Sequence, residues 1–150
     1  MLAELEASSD RIAARPWPPS PDDARNILCG QPYEVLDRIG HGGMGAVFKV
    51  RNLEPGMRRL EAVKIRRPEV QDDDLFHERF LREINTLAQL RHPGITTVYR
   101  SGDSAEGYLW FSMEFLEGRS LAELLAPGLP PLSPERVLEI TRQLCVTLQF

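Results

Sequence analysis

The chain has 150 residues, a formal charge of −4, and 42% apolar and 27% charged side chains. These values fit one folded domain and exclude a mostly disordered chain or a generally basic nucleic-acid binder. No apolar run approaches the roughly 20 residues of a spanning helix. No signal pattern opens the chain, and Cys29 and Cys145 form no CxxC or Cys/His cluster. Neither a membrane segment, a disulfide framework nor a metal site is therefore expected, and a reducing, cytoplasmic setting is.

Residues 1–32 read as an arm or linker. Met1–Ala14 suits a short polar helix, and Arg15–Asp23 (RPWPPSPDD) holds four prolines in nine residues, which fix φ and remove backbone donors. From Tyr33 the pattern becomes regular. Tyr33–Ile39 is a strand candidate, the glycine cluster Gly40–Gly45 follows, and Ala46–Arg51 reads as a second strand. Asn52–Gly56 is turn chemistry and Arg58–Ile65 a third strand, so consecutive antiparallel hairpins are expected. Asp73–Leu90 is a helix with Asp72, Asp73 and Asp74 at its start and an apolar stripe of Phe76, Phe80, Ile84 and Leu87. Strands over Ile95–Arg100 and Tyr108–Phe115, joined by the polar turn Ser101–Gly107, complete the expected sheet. Beyond Gly118 come a short helix (Ser120–Leu125), the breaker run Pro127–Pro131, and a helix capped by Ser133 with Pro134 at its first position. Its stripe of Val137, Ile140, Leu144 and Leu148 still runs where the sequence stops at Phe150, an ending that reads as cut.

Three features carry chemistry. Gly40-His41-Gly42-Gly43-Met44-Gly45 contains G-x-G-x-x-G, a motif found in dinucleotide-binding folds, in phosphate-covering hairpins and by chance. A dinucleotide fingerprint must open a helix, whereas Gly45 opens a strand-like stretch. The loop then joins two antiparallel strands, with glycines leaving backbone N–H groups free to reach phosphate oxygens. A plain glycine-rich turn is the alternative. Lys64, in Ala62-Val63-Lys64-Ile65, shares a strand face with Ala62; a solvated sheet-face lysine is the bland reading. Glu83 lies within the apolar stripe of the long helix, where an unpartnered carboxylate would cost several kcal/mol in order of magnitude. A local pair with Arg79 competes there with an ion pair to Lys64.

Taken together, Ile39–Val47, the AVKI around Lys64, the helix carrying Glu83, the RHPGI that follows and Met113-Glu114-Phe115-Leu116-Glu117-Gly118 occur in protein-kinase order. Over Tyr33–Phe150 the chain resembles protein kinases, most of all bacterial serine/threonine kinases of the eukaryotic type. The resemblance implies an α+β fold: a kinase small lobe of five antiparallel strands and one long helix, with the hinge, over 33–118, then the first helices of an incomplete large lobe over 119–150. It implies ATP as the nucleotide, a protein substrate and Mg²⁺ only in the complete kinase, and neither a nucleic-acid partner nor a metal ligand in this chain. Gly40, His41, Gly42, Gly43, Met44 and Gly45 would form the phosphate-covering loop, with Ile39 and Val47 against the adenine. Lys64 would contact the α- and β-phosphates, oriented by Glu83. Ala62 would pack on the adenine, Met113 would be the gatekeeper, and the backbone from Glu114 to Leu116 would bond the adenine edge. Glu61 departs from the family, which has an apolar residue there; its side chain should point away from the nucleotide.

The family's H-R-D-x-x-x-x-N, D-F-G and A-P-E motifs occur nowhere in the 150 residues. This chain alone is therefore expected not to turn over. A non-catalytic module binding a nucleotide or partner is the alternative. A nicotinamide-dependent oxidoreductase is a third reading, which stands only if a helix follows Gly45.

Overall fold

The computed structural model describes residues 17–42, 45–66 and 74–149; within 74–89 it describes the side chains of residues 78, 82 and 84–89. The helix expected over Met1–Ala14, the loop residues Gly43 and Met44, and the side chains of Phe76, Phe80 and Glu83 lie outside the described residues.

The elements are α1 (Pro21–Ile27), β1 (Tyr33–Gly42), β2 (Gly45–Asn52), β3 (Leu60–Arg66), α2 (Asp74–Gln89), β4 (Val98–Asp103), β5 (Leu109–Glu114), α3 (Leu121–Leu124) and α4 (Pro134–Leu148). All five strands form one sheet in the order β1-β2-β3-β5-β4, every neighbour antiparallel. This is the expected α+β arrangement of a five-stranded sheet and a long helix. The strand at Gly45–Asn52 removes the nicotinamide reading, which needed a helix there.

Residues 17–32 correct the expectation of a linker. Ser20 caps α1: its hydroxyl accepts from the Asp23 N–H, and the Asp23 carboxylate accepts from the Ser20 N–H at 2.9 Å. Pro21 stands at the first helical position, where a missing N–H costs nothing. A seven-residue helix is not stable by itself; packing holds it. Ala24, Ile27 and Leu28 are buried in one core cluster with Tyr33 and Val35 of β1, Ala46, Phe48 and Val50 of β2, Val63 and Ile65 of β3, and Trp110 of β5, with Trp17 packed against them. Full burial of Ile27 and Leu28 contributes about 1.5–3 kcal/mol each. The prolines therefore shape a strap over the sheet.

Strands β2, β3 and β5 differ from the expected bounds by one or two residues at an end, and β1 and β4 by three. β1 runs through the glycine cluster to Gly42 because Gly40 pairs with Val47 and Gly42 with Gly45. β4 starts at Val98 and not at Ile95, since the Ile95 N–H donates to His92 O in a turn. It ends at Asp103, deep in the expected turn, because Gly102 pairs with Trp110. A Cβ at Gly102 would lie 2.9 Å from the Trp110 ring, so glycine lets the indole lie over the edge strand.

The chain divides into two compact units. One holds the sheet, α1 and α2; the other holds residues 90–96 and the chain from Leu116 on, with α3 and α4. The boundary falls at 115/116, three residues before the expected one at 118/119. Ser133 caps α4 and Pro134 opens it, as expected.

Candidate functional site

Strand alternation sorts the sheet into two faces. Glu61, Val63 and Ile65 of β3 turn toward the core under α1, each fully buried. Ala62 and Lys64 turn the other way. Across the ladder Lys64 pairs with Val47 of β2 and Phe111 of β5, and Ala62 pairs with Lys49 and Met113. Val47, Ala62, Lys64 and Met113 thus form a contiguous patch, with the Lys64 ammonium 5.9 Å from the Phe111 ring centroid. Helix α2 docks on this same face: Ile84 is buried in a cluster with Leu109, against which Val98 and Phe111 pack. Glu83 precedes Ile84 on that helix, but the expected Lys64–Glu83 pair lies outside the described residues.

The hairpin β1–β2 overhangs one end of the patch. Its glycines are not equivalent. A Cβ at Gly45 would sit 2.6 Å from the Ile65 carbonyl oxygen and 3.4 Å from Lys64 Cε, so β3 itself demands glycine there. A Cβ at Gly40 or Gly42 would meet nothing within 4 Å. Ile39 falls in a register shift between Arg38 and Gly40 and is exposed, as are His41 and Gly42. At the other end of the patch the Glu114 N–H donates to Thr97 O at 2.9 Å, which commits that donor within the sheet. Leu116 is exposed.

The face opposite Lys64 holds a polar cluster that sequence reading resolved only as Glu61 pointing away. Asn52 Nδ2 and Arg59 Nε both donate to Glu61 Oε1 at 2.8 Å. Oε2 is buried and accepts no hydrogen bond of normal geometry from a described residue. The Arg59 guanidinium stacks on Tyr99 of β4 at 3.6 Å. Tyr33 donates to Ser112 Oγ at 3.0 Å and packs edge-on to Trp110. Burial raises the Tyr33 hydroxyl above the ordinary tyrosine range, opposed by the Ser112 hydrogen bond and helped by the nearby Glu61 carboxylate. The period-two pattern Glu61-Val63-Ile65 signalled this burial, because the apolar members of the series face the core.

Comparison with known proteins decides the family. The family model of the protein kinase domain matches residues 33–150. The chain belongs to the protein kinase domain family. It is similar to serine/threonine-protein kinase PknB of Mycobacterium leprae, 34% identical over 121 residues that cover 79% of this chain and 19% of that protein. It is also similar to serine/threonine-protein kinase PknJ of Mycobacterium tuberculosis, 39% identical over 102 residues covering 68% of this chain and 16% of that protein. The crystal structure of the Mycobacterium tuberculosis PknI kinase domain superposes with a TM-score of 0.64 at 31% identity, covering 78% of this chain and 46% of that one. The chain thus spans less than a fifth of these two curated relatives and under half of the solved domain. Within the family, the sheet, α2 and the hairpin of this kinase chain correspond to the expected small lobe. The segment 17–32 precedes the matched region yet contributes to the core.

Proposed function

We propose that this chain is the ATP-binding portion of a serine/threonine protein kinase. The observation that carries the reading is the patch of Val47, Ala62, Lys64 and Met113 beneath a hairpin whose Gly40 and Gly42 have no packing reason to be glycine. Absent side chains at those positions let backbone N–H groups approach phosphate oxygens. ATP fits this set. Lys64 would hold its α- and β-phosphates with Glu83 orienting the ammonium, under the loop of Gly40, His41, Gly42, Gly43, Met44 and Gly45. Ile39, Val47 and Ala62 would enclose the adenine beside the gatekeeper Met113. The Glu114 carbonyl and the Leu116 N–H would serve its edge, since the Glu114 N–H is already committed to Thr97. ATP supplies the phosphoryl group, and protein Ser or Thr hydroxyls would receive it in the complete kinase.

None of the 150 residues forms an H-R-D catalytic loop or a D-F-G metal ligand. This span by itself would therefore bind without turnover, and Mg²⁺ is assigned to the complete kinase alone. No helix among the described residues is long and apolar enough to cross a membrane; a cytoplasmic site of action remains part of the proposal.

Titration of the chain with a fluorescent ATP analogue tests the reading. Wild type should bind, and Lys64→Met should weaken binding about tenfold or more, the worth of a charge-assisted phosphate contact. Equal affinity of the two proteins, or no binding by wild type, overturns it. Phosphate transfer to a generic acceptor protein should stay at background in both.

A further inference from the structure

We infer that residues 17–28 and Arg38 act together as a positioning element for the glycine-rich hairpin. The family match begins at residue 33, so this segment lies outside it. Pro19, Ile27 and Leu28 are nonetheless among the most buried side chains of the chain, and Ala24 is fully buried. Their cluster includes Ala46, the residue after Gly45 and the partner of His41 across the hairpin. Helix α1 and the first residues of β2 therefore share one buried core.

Strand β1 is gripped from the same segment at Arg38. Arg38 Nη1 donates to Pro19 O at 3.1 Å and reaches Pro18 O at 3.5 Å. Register shifts between Val35 and Asp37 and between Arg38 and Gly40 interrupt the β1 ladder on both sides of this contact. A strand interrupted twice bends where the ladder is broken, so its course is set by what else holds it. Here the guanidinium of Arg38 holds it, two residues before Gly40. Prolines suit the receiving end, because Pro18 and Pro19 have no N–H of their own to draw the segment into the sheet. Strap and hairpin thus form one mechanical unit, with Ala46 in the core that α1 closes and Arg38 tied to the Pro19 carbonyl. Loss of the Arg38 contact alone loosens the hairpin and leaves in place the α1 core, which also holds β3 and β5. The consequence for nucleotide affinity rests on the ATP-binding reading above; the mechanical coupling does not.

The test uses the whole chain with Arg38→Met, which keeps the aliphatic stem and removes the donors, and Arg38→Lys, which restores one. Hydrogen exchange is read at the amides of residues 40–42 and 45–47, with β3 and β5 as internal reference. Arg38→Met should speed exchange in the hairpin about threefold to tenfold, the worth of one exposed charged hydrogen bond, and weaken the fluorescent ATP analogue by a similar factor. The urea midpoint should stay near wild type, and Arg38→Lys should recover part of both effects. Unchanged hairpin exchange in Arg38→Met overturns the inference. So does acceleration spread evenly over β3 and β5, or failure of this variant to fold, since each would make Arg38 a general stabiliser. If wild type binds no analogue, the ATP-binding reading fails and the exchange data alone decide the coupling.

Discussion

A methyl group at position 45 would collide with the Ile65 carbonyl, while one at 40 or 42 would enter open space. The contrast separates two reasons for glycine in one motif. Gly45→Ala forces β2 away from β3 and should cost about 1–3 kcal/mol in a urea melt. Gly40→Ala and Gly42→Ala should change stability by less than about 0.5 kcal/mol, as surface substitutions do, yet weaken ATP-analogue binding. Equal stability losses at all three positions, with binding intact, would reduce the motif to a tight turn. Glu61 gives a second residue-scale prediction. Glu61→Ala removes the acceptor shared by Asn52 and Arg59 and leaves the buried Asn52 amide unpaired, a loss of about 2–3 kcal/mol. Glu61→Gln keeps an acceptor for both and discards the buried charge, so its urea midpoint should stay within about 1 kcal/mol of wild type. If Gln costs as much as Ala, the negative charge itself holds the cluster. Alternation placed Glu61 opposite Lys64, but its partners come from the β2–β3 turn and from another strand. Contacts across the sheet have no periodicity along the chain and so left no trace in the sequence.

Elements with a strong internal period were legible; those set by their neighbours were not. Strands β2, β3 and β5, helix α2 and the Ser133-Pro134 start of α4 follow from alternation, helical spacing and capping. Helix α1 was missed because four prolines outweighed the Ser20–Asp23 cap beside them, and because its stability comes from the sheet it covers. β4 was misplaced because its end is decided by backbone pairing of Gly102 and Asp103, residues with little strand preference. Electrostatics within α4 supply the element-scale prediction. Arg142 donates to Glu139 at 3.0 and 3.1 Å, and Gln143 adds another hydrogen bond, which together hold the Glu139 carboxyl below the ordinary glutamate range. A lowered folded-state value means that this contribution is present above the unfolded pKa, about 4.3, and disappears as pH falls through the folded value. The side-chain NMR titration of Glu139 should therefore show a midpoint below that of an unfolded peptide, and Arg142→Ala should move it upward. A midpoint unmoved by Arg142→Ala would show that the pair does not persist in solution.

At the scale of the whole chain, burial is unevenly shared. The sheet closes a core on its α1 face and receives α2 on the other. Helix α4, in contrast, has no buried residue, although its sequence carries an apolar stripe. Val137, Leu144 and Val146 are exposed, and Leu138 and Leu148 are 70% and 83% exposed. Apolar side chains grouped on one helix are a surface for association. The 150-residue chain should thus run as a concentration-dependent oligomer in size-exclusion chromatography with light scattering. Changing Leu138→Lys and Leu148→Lys together should shift it toward monomer. The double change also brings the net charge of −4 closer to zero, which favours association. Any gain in monomer must then come from the lost apolar contact and not from charge repulsion. A wild-type chain that stays monomeric at every concentration would show that the exposed leucines of α4 do not drive self-association.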